Sequence, residues 1–520
     1  MKKIFILTLS LFIAIPIIAL ANESDIQLDV KSHTFDNGLE LLVVERHLSP
    51  TVSTFVRFKV GSSDERPGIT GAAHLLEHML FKGTKNIGTS DYDAEVPMMQ
   101  QIDQMAHELT DAIIETRDPL YRGDNSKVDS LRAAIASIQD GQKQYVIKDE
   151  LWETYLRNGG SGLNASTGND GTQYYVSLPS NRLELWAYLE SDRLSNPIFR
   201  EFYSERDVVY EERRLRIDNS PGGRLYEQFN AAAFTASPYN WPVVGWASDL
   251  ETMFREDVEE FFYQYYSPNN IVIAIVGDVQ YDDIVSLVGR YFGDIPPSEK
   301  PVPKVTTTEP TQFGERRVEV EYDAEPRMLI GWKMLAGGAV DQEVFDIISR
   351  LLSGGRTSRL YKSLVVDKKI VSSIYASSAF TRFPDTFTIS ATPKKGHSIE
   401  EVENAINEEI GKLKNEGPTD WELQRVHNQL EANFVRGLRS NRGLAYRIAD
   451  MQAKTGDWSY MLTLKDKRKA VTADDIKRVI GEYFIDNYKT VAYHVKPESE
   501  EEGNDQSGLT TPKTEQAVAK

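Results

Sequence analysis

The stretch His74-Leu75-Leu76-Glu77-His78 puts two imidazoles and a carboxylate at spacings that share one face of a helix. His74 and His78 are four apart and stand one turn above the other, with Glu77 three after His74 on that face. Two neutral imidazoles can hold a zinc ion. A carboxylate beside them can take a proton from a water that the metal activates. The order reverses the commoner HExxH zinc helix. The bland alternative is a pair of histidines that merely pack or cap a helix. With only 8 histidines in 520 residues, a chance HxxEH is a rare event, which favours the metal.

Two histidines do not complete a catalytic zinc site, which takes a third protein ligand and leaves one position open. The chain has no cysteine, so disulfides and thiolate ligands are excluded and the third ligand must be His or a carboxylate. Glu205 to Arg214 (ERDVVYEERR) is acidic and strongly helical. Glu205 and Glu212 lie two turns apart and face the same way, whereas Glu211 points elsewhere. Spacing alone leaves Glu205 and Glu212 both open, and a solvated, ion-paired surface helix is the alternative.

The elements that must position these groups follow from pattern. Asp36-Asn37-Gly38 signals a tight turn before the apolar run Leu39 to Val44. Val52, Thr54, Val56, Phe58 and Val60 alternate with other residues, as a strand does when it buries one face. Gly61 to Gly71 reads as loop, and the HLLEH helix follows. Residues 92–148 read as an inserted helical hairpin, with apolar residues at helical spacing from Met98 to Ile113 and again from Val128 to Ile138. His107 within it is expected to face solvent rather than a metal. A further strand is expected from Thr172 to Leu178.

The whole chain sets the bounds. Lys2 and Lys3, the apolar run Ile4 to Ile18 and Ala19-Leu20-Ala21 form a secretory signal at 1–21, with cleavage expected after Ala21. The mature protein is therefore expected to be exported, most simply to a periplasm, without a membrane span. Its length exceeds one ordinary core and predicts at least two domains. The net charge of −19 offers no basic stripe for phosphates and argues against nucleic acid. Residues 296–311, rich in Pro, Thr and charge, read as a linker, and 497–520 as a disordered acidic and polar tail. Across that linker, Asp257 to Ala274 can be laid over Asp475 to Ala492 without gaps, matching Tyr265 to Tyr483 and Asn269 to Asn487. That repeat indicates two related domains, at 30–295 and 312–496, of which only the first carries HxxEH.

These segments together resemble a known family. GAAHLLEHMLFKGT (Gly71 to Thr84), LNAST (Leu163 to Thr167) and ERDVVYEE (Glu205 to Glu212) are similar to the motifs of the pitrilysin-type inverted zinc metallopeptidases, in their mitochondrial-processing-peptidase-like bacterial branch. SPYNWPVVGW (Ser237 to Trp246) and GGRTSRLY (Gly354 to Tyr361) add weaker support. The resemblance implies an α+β fold of two related domains, each a mostly antiparallel sheet with helices packed on one face, the first interrupted by the helical hairpin. It implies one Zn2+ per chain held by His74, His78 and Glu212, with Glu77 as general base and Glu205 as a carboxylate that orients a ligand. Asn164 and Ala165 match the edge strand to which an extended peptide adds by backbone pairing. The implied activity is zinc-dependent endopeptidase action on peptides or unfolded segments.

Two departures stand out. The gap from His78 to Glu212 is long by roughly the hairpin's length. Many members also carry an Arg and a Tyr seven apart in the second half, where the best alignment here puts Val365 and Ser372. Lys368 and Tyr375 share that spacing only after a shift that spoils the surrounding match. The expected partner is therefore a homologous subunit that carries the Arg/Tyr pair, in a heterodimer closing around a chamber, with a homodimer as the alternative. A non-catalytic assembly subunit of the same fold, or a metal-binding module without hydrolysis, would be the rival function; retention of His74, Glu77, His78 and Glu212 speaks against both.

Overall fold

The computed structural model describes residues 28–496 apart from 119, 121 and 122, so the expected signal segment and the tail from 497 lie outside the described residues. Among the described residues eleven strands form two sheets. The first contains β1 (Lys31–Thr34), β2 (Glu40–Glu45), β3 (Thr51–Phe58), β4 (Ser161–Gly168), β5 (Gly171–Pro179) and β6 (Ile271–Gly277), in the order β1-β2-β6-β3-β5-β4. The second contains β7 (Arg316–Glu321), β8 (Met328–Met334), β9 (Val371–Ser377), β10 (Asp385–Pro393) and β11 (Lys489–Val495), in the order β7-β11-β8-β10-β9. Pairing is antiparallel except β2 with β6 and β7 with β11. Without β1, the two sheets have the same strand order and the same single parallel pair. The structure is thus α+β with two mostly antiparallel sheets.

The sequence repeat falls on equivalent elements. Helix Arg255–Tyr265, the short turn Pro268–Asn270 and β6 stand at the same spacings as helix Ala473–Tyr483, the turn Asp486–Tyr488 and β11. Both copies end in a buried interior strand of their sheet. Burial on both faces is why β6 reads as an apolar run rather than as an alternating pattern.

Each sheet's own helices cover one face, and the opposite face is covered as well. Helix Asn441–Thr455, from the second half, lays Leu444, Ala445, Ile448 and Ala449 on Leu42, Val44, Phe55, Val272, Ala274 and Val276 of the first sheet. In return, helix Pro221–Ala233 lays Leu225, Phe229 and Ala233 on Val320, Leu329 and Ala492 of the second. The approach is close: a Cβ at Gly331 would fall 2.6 Å from Phe229 Cζ, so β8 needs glycine there. The expectation that β3 buries one face is accordingly corrected, because seven of its eight residues are buried. Its polar residues escaped notice because distant segments satisfy them. Arg57 pairs with Asp450 at 3.1 Å, and Ser53 with Ser177 at 2.8 Å.

The expected linker is pinned rather than free. Glu309 accepts N–H bonds from Thr235, Ala236 and Ser237 and an ion pair from Lys333 of β8 at 3.2 Å. Burial pushes Lys333 down to about 8, against the pull of Glu309.

The insertion is a hairpin of helices Tyr92–Thr116 and Ser126–Gln142, which pack on each other. His107 is half exposed and stacks on Phe254, in keeping with a non-ligand role. Arg200, fully buried, joins the hairpin to the turn that follows HLLEH. It donates to the carbonyls of Lys82 (2.7 Å), Thr84 (2.7 Å) and Ile87 (3.0 Å) and pairs with buried Glu95 at 3.3 Å. Removing one member of such a pair leaves a buried charge alone, so Arg200→Met is expected to lose about 3–5 kcal/mol. Urea unfolding followed by fluorescence checks this; an unchanged midpoint would contradict it.

Candidate metal centre

HLLEH lies on helix Ala72–Met79, whose buried side packs Leu75, Leu76 and Met79 into the first core. His74, Glu77 and His78 are thereby turned toward a second helix, Phe202–Arg213. Glu205 and Glu212 both face this side, as their two-turn spacing required. Glu211 is exposed and pairs with Arg214 at 2.7 Å. The choice that spacing left open is distinguished by geometry. Glu212 lies 3.8 Å from His74 Nε2 and 3.4 Å from His78 Nε2, while Glu205 accepts from the opposite nitrogen, His78 Nδ1, at 2.9 Å.

One atom each from His74, His78 and Glu212 lie within 4.8 Å of one another. Tetrahedral bonds of about 2.0–2.1 Å place neighbouring ligand atoms about 3.4 Å apart, close to the two separations just given. The donor set, two imidazoles and a carboxylate, suits zinc, so the residues present fit that ion. Glu205 fixes the His78 ring so that Nε2 faces Glu212, an arrangement common behind metal-bound imidazoles. His74 Nδ1 is buried with no such acceptor.

The charges around the site are strongly shifted. Burial, and then the neighbouring His78, hold His74 down at about 4. His78 goes the other way: against burial, the Glu205 and Glu212 carboxylates push it up to about 9. Burial also opposes ionisation of Glu205, but the hydrogen bonds of His78 and Lys82 hold it at about 2. Lys82 reaches Glu205 at 2.7 Å, and Arg216 pairs with Glu212 at 2.8 Å. Glu77 contributes no atom to the three-residue cluster. Burial raises its pKa, and a hydrogen bond from Thr167 Oγ1 at 2.5 Å partly offsets this.

Thr167 is the residue that sequence reasoning missed. It belongs to LNAST but was assigned no role; only the fold brings β4 beside the HLLEH helix. Lys82 lies within the motif GAAHLLEHMLFKGT, and its position four after His78 is the available signal. Asn164 and Ala165 lie on β4, which is the edge of the first sheet, as expected. Asn164 is exposed, and its Oδ1 accepts the Ala165 N–H at 3.0 Å. The ladder shifts register between Ser161 and Asn164, so the edge begins with an irregularity. In the second half, Val365 packs against that half's core, and Ser372 on β9 spends its hydroxyl on Thr392 O at 3.2 Å. Lys368 pairs with Glu408, and Tyr375 is exposed on the edge strand β9.

A helix carrying HLLEH that faces a carboxylate helix, on one of two matching α+β sheets, is the arrangement of a metallopeptidase class of fold. The chain is similar to the peptidase M16 family, the pitrilysin type. Residues 41–103 match the model described as "Insulinase (Peptidase family M16)", and residues 253–430 match "Peptidase M16 inactive domain". A zinc protease named PqqE from Helicobacter pylori is 28% identical over 479 residues, covering 90% of this chain and 93% of that protein. The crystal structure of a protease from Helicobacter pylori matches with a TM-score of 0.76 at 26% identity, over 90% of this chain and all of that one. The periplasmic protease PqqL from Escherichia coli shares the fold with a TM-score of 0.66 at 16% identity. There the match takes 95% of this chain but 52% of that one. Among the described residues no helix is long and apolar enough to cross a membrane.

Proposed function

We propose that the chain is a zinc-dependent endopeptidase, with one zinc ion held by His74, His78 and Glu212 and with Glu77 as general base. The observation that carries this reading is the convergence of His74, His78 and Glu212 within 4.8 Å, beside a carboxylate that stays outside the cluster. When bound, zinc would lower the pKa of a water and polarise a peptide carbonyl. Glu77 takes the proton from the attacking water and returns it to the departing amine. Its raised pKa suits this exchange better than that of an ordinary surface carboxylate. Thr167 holds the Glu77 carboxylate from β4, the strand on which Asn164 and Ala165 would receive an extended peptide by edge pairing. Glu205 orients His78. Export after cleavage at Ala21 would place the enzyme in a periplasm, and the domains would run 30–295 and 312–496 with the linker between.

The second half contributes no Arg/Tyr pair at Val365 and Ser372. A homologous subunit supplying that pair therefore completes the chamber, and the two-fold greater length of PqqL fits such a pairing of halves. The test is cleavage of a quenched fluorescent peptide mixture by the chain alone and with a co-purifying homologue. Activity only with the homologue is the expected result; undiminished activity alone would overturn the heteromer.

Metal loading carries a proton signature. Near neutral pH the metal-free His78 is protonated and His74 is neutral. Binding must therefore expel close to one proton, and affinity is expected to fall about tenfold for each pH unit lowered across the window from about 9 to about 4. Calorimetric zinc titrations in buffers of different ionisation enthalpy count that proton, and a count near zero would contradict the assignment.

A further inference from the structure

The helix bearing HLLEH begins without a side-chain cap of its own: its N-cap is Gly71, in the left-handed region at φ 94. The open N–H groups are taken by Glu65 from the preceding loop. Glu65 Oε2 accepts from Gly71 N at 2.9 Å, and Oε1 accepts from Ala73 N at 2.8 Å. A carboxylate there also faces the positive end of the helix dipole. His74 is the next residue after Ala73, so the first turn that Glu65 holds is the turn that carries His74.

The neighbour of Glu65 is tied to the other half of the chain. Asp64, whose side chain is 3% exposed, accepts from Gly61 N at 3.0 Å and from Arg382 Nη2 at 2.8 Å. Arg382 sits in the β9–β10 connection. Its Nη2 also reaches Ser63 Oγ at 2.8 Å, and its backbone N–H donates to Asp170 Oδ2 at 2.9 Å in the β4–β5 turn. Tyr239 closes the knot, donating to Asp170 at 2.7 Å and accepting from Phe383 N at 3.1 Å. One loop of the second half thus grips both the segment that caps the HLLEH helix and the hairpin whose β4 presents Thr167 to Glu77.

We propose that Arg382 is a positioning residue: through Asp64 and Glu65 it lets the half without metal residues fix the first turn of the HLLEH helix, and with it His74. This rests on the reading of His74 as a metal ligand. Without Arg382, the buried Asp64 carboxylate loses its one cationic partner among the described residues. The cheapest relief is for the 61–65 loop to move toward solvent. Glu65 then leaves Gly71 and Ala73, and the first turn frays while His78, one turn deeper, stays in place.

The experiment is hydrogen exchange on full-length, metal-free protein carrying Arg382→Ala or Arg382→Lys, alongside zinc dissociation from the loaded forms. Exchange over 61–76 is expected to quicken about tenfold in Arg382→Ala, with the hairpin helix Tyr92–Thr116 unchanged. Arg382→Lys should fall between, millimolar guanidinium should restore part of the protection in Arg382→Ala, and zinc should leave faster from both variants. If Arg382→Ala does not fold, Arg382→Lys alone decides by the same local quickening. Wild-type exchange over 61–76, or quickening spread evenly through the first half, overturns the proposal. Because exchange is read without metal, a failure of the peptidase reading would appear separately, as local quickening in a protein that neither holds zinc nor cleaves peptides.

Discussion

Replacing Glu77 by Gln is expected to cut peptide turnover by about 10²–10⁴-fold while zinc remains bound. The amide keeps the size of the side chain and can still meet Thr167, but it cannot take a proton. The cluster of His74, His78 and Glu212 is untouched, because Glu77 contributes no atom to it. The two readouts must therefore separate: kcat falls and metal content does not. Joint loss of both would assign Glu77 to holding the site together rather than to proton transfer.

The second large effect distinguishes the two glutamates of helix Phe202–Arg213. Glu212→Ala removes one of three donors and is expected to leave the protein without stoichiometric zinc after dialysis. Glu205→Ala is expected to weaken zinc by about 10–100-fold, the usual consequence of losing the acceptor behind a ligating imidazole. The reasoning is geometric: Glu212 meets the two Nε2 atoms, and Glu205 meets His78 Nδ1. Glu205 is also balanced by Lys82 at 2.7 Å, so its removal leaves that partly buried ammonium with only the longer pair to Glu201 at 3.4 Å. Equilibrium competition with a chromogenic chelator ranks the variants. Zinc held as tightly by Glu212→Ala as by the parent protein would exchange the two roles.

Much of this was legible from local pattern. HLLEH declared its own face, the seven-residue spacing put Glu205 and Glu212 on one side, and the repeat located an equivalent interior strand of each sheet. What stayed hidden depends on contacts between distant segments. Spacing could not rank Glu205 against Glu212, since a two-turn interval gives both the same azimuth and only the crossing of two helices decides which reaches Nε2. Thr167 sits in a recognisable motif, yet nothing local says that its hydroxyl meets Glu77, 90 residues earlier. The alternation of β3 suggested one buried face because Ser53 and Arg57 look solvent-seeking until Ser177 and Asp450 are seen beside them. The exchange of helices Pro221–Ala233 and Asn441–Thr455 between sheets left no periodic trace, since an amphipathic helix looks the same whichever sheet it covers.

The most direct test of the central claim is a titration of metal-stripped protein with zinc, following cleavage of a quenched peptide in the presence of the homologous subunit. Activity should climb in proportion to added zinc and level at one equivalent per chain. Zinc that binds without any cleavage, or cleavage that ignores zinc, would contradict a metallopeptidase built on His74, Glu77, His78 and Glu212.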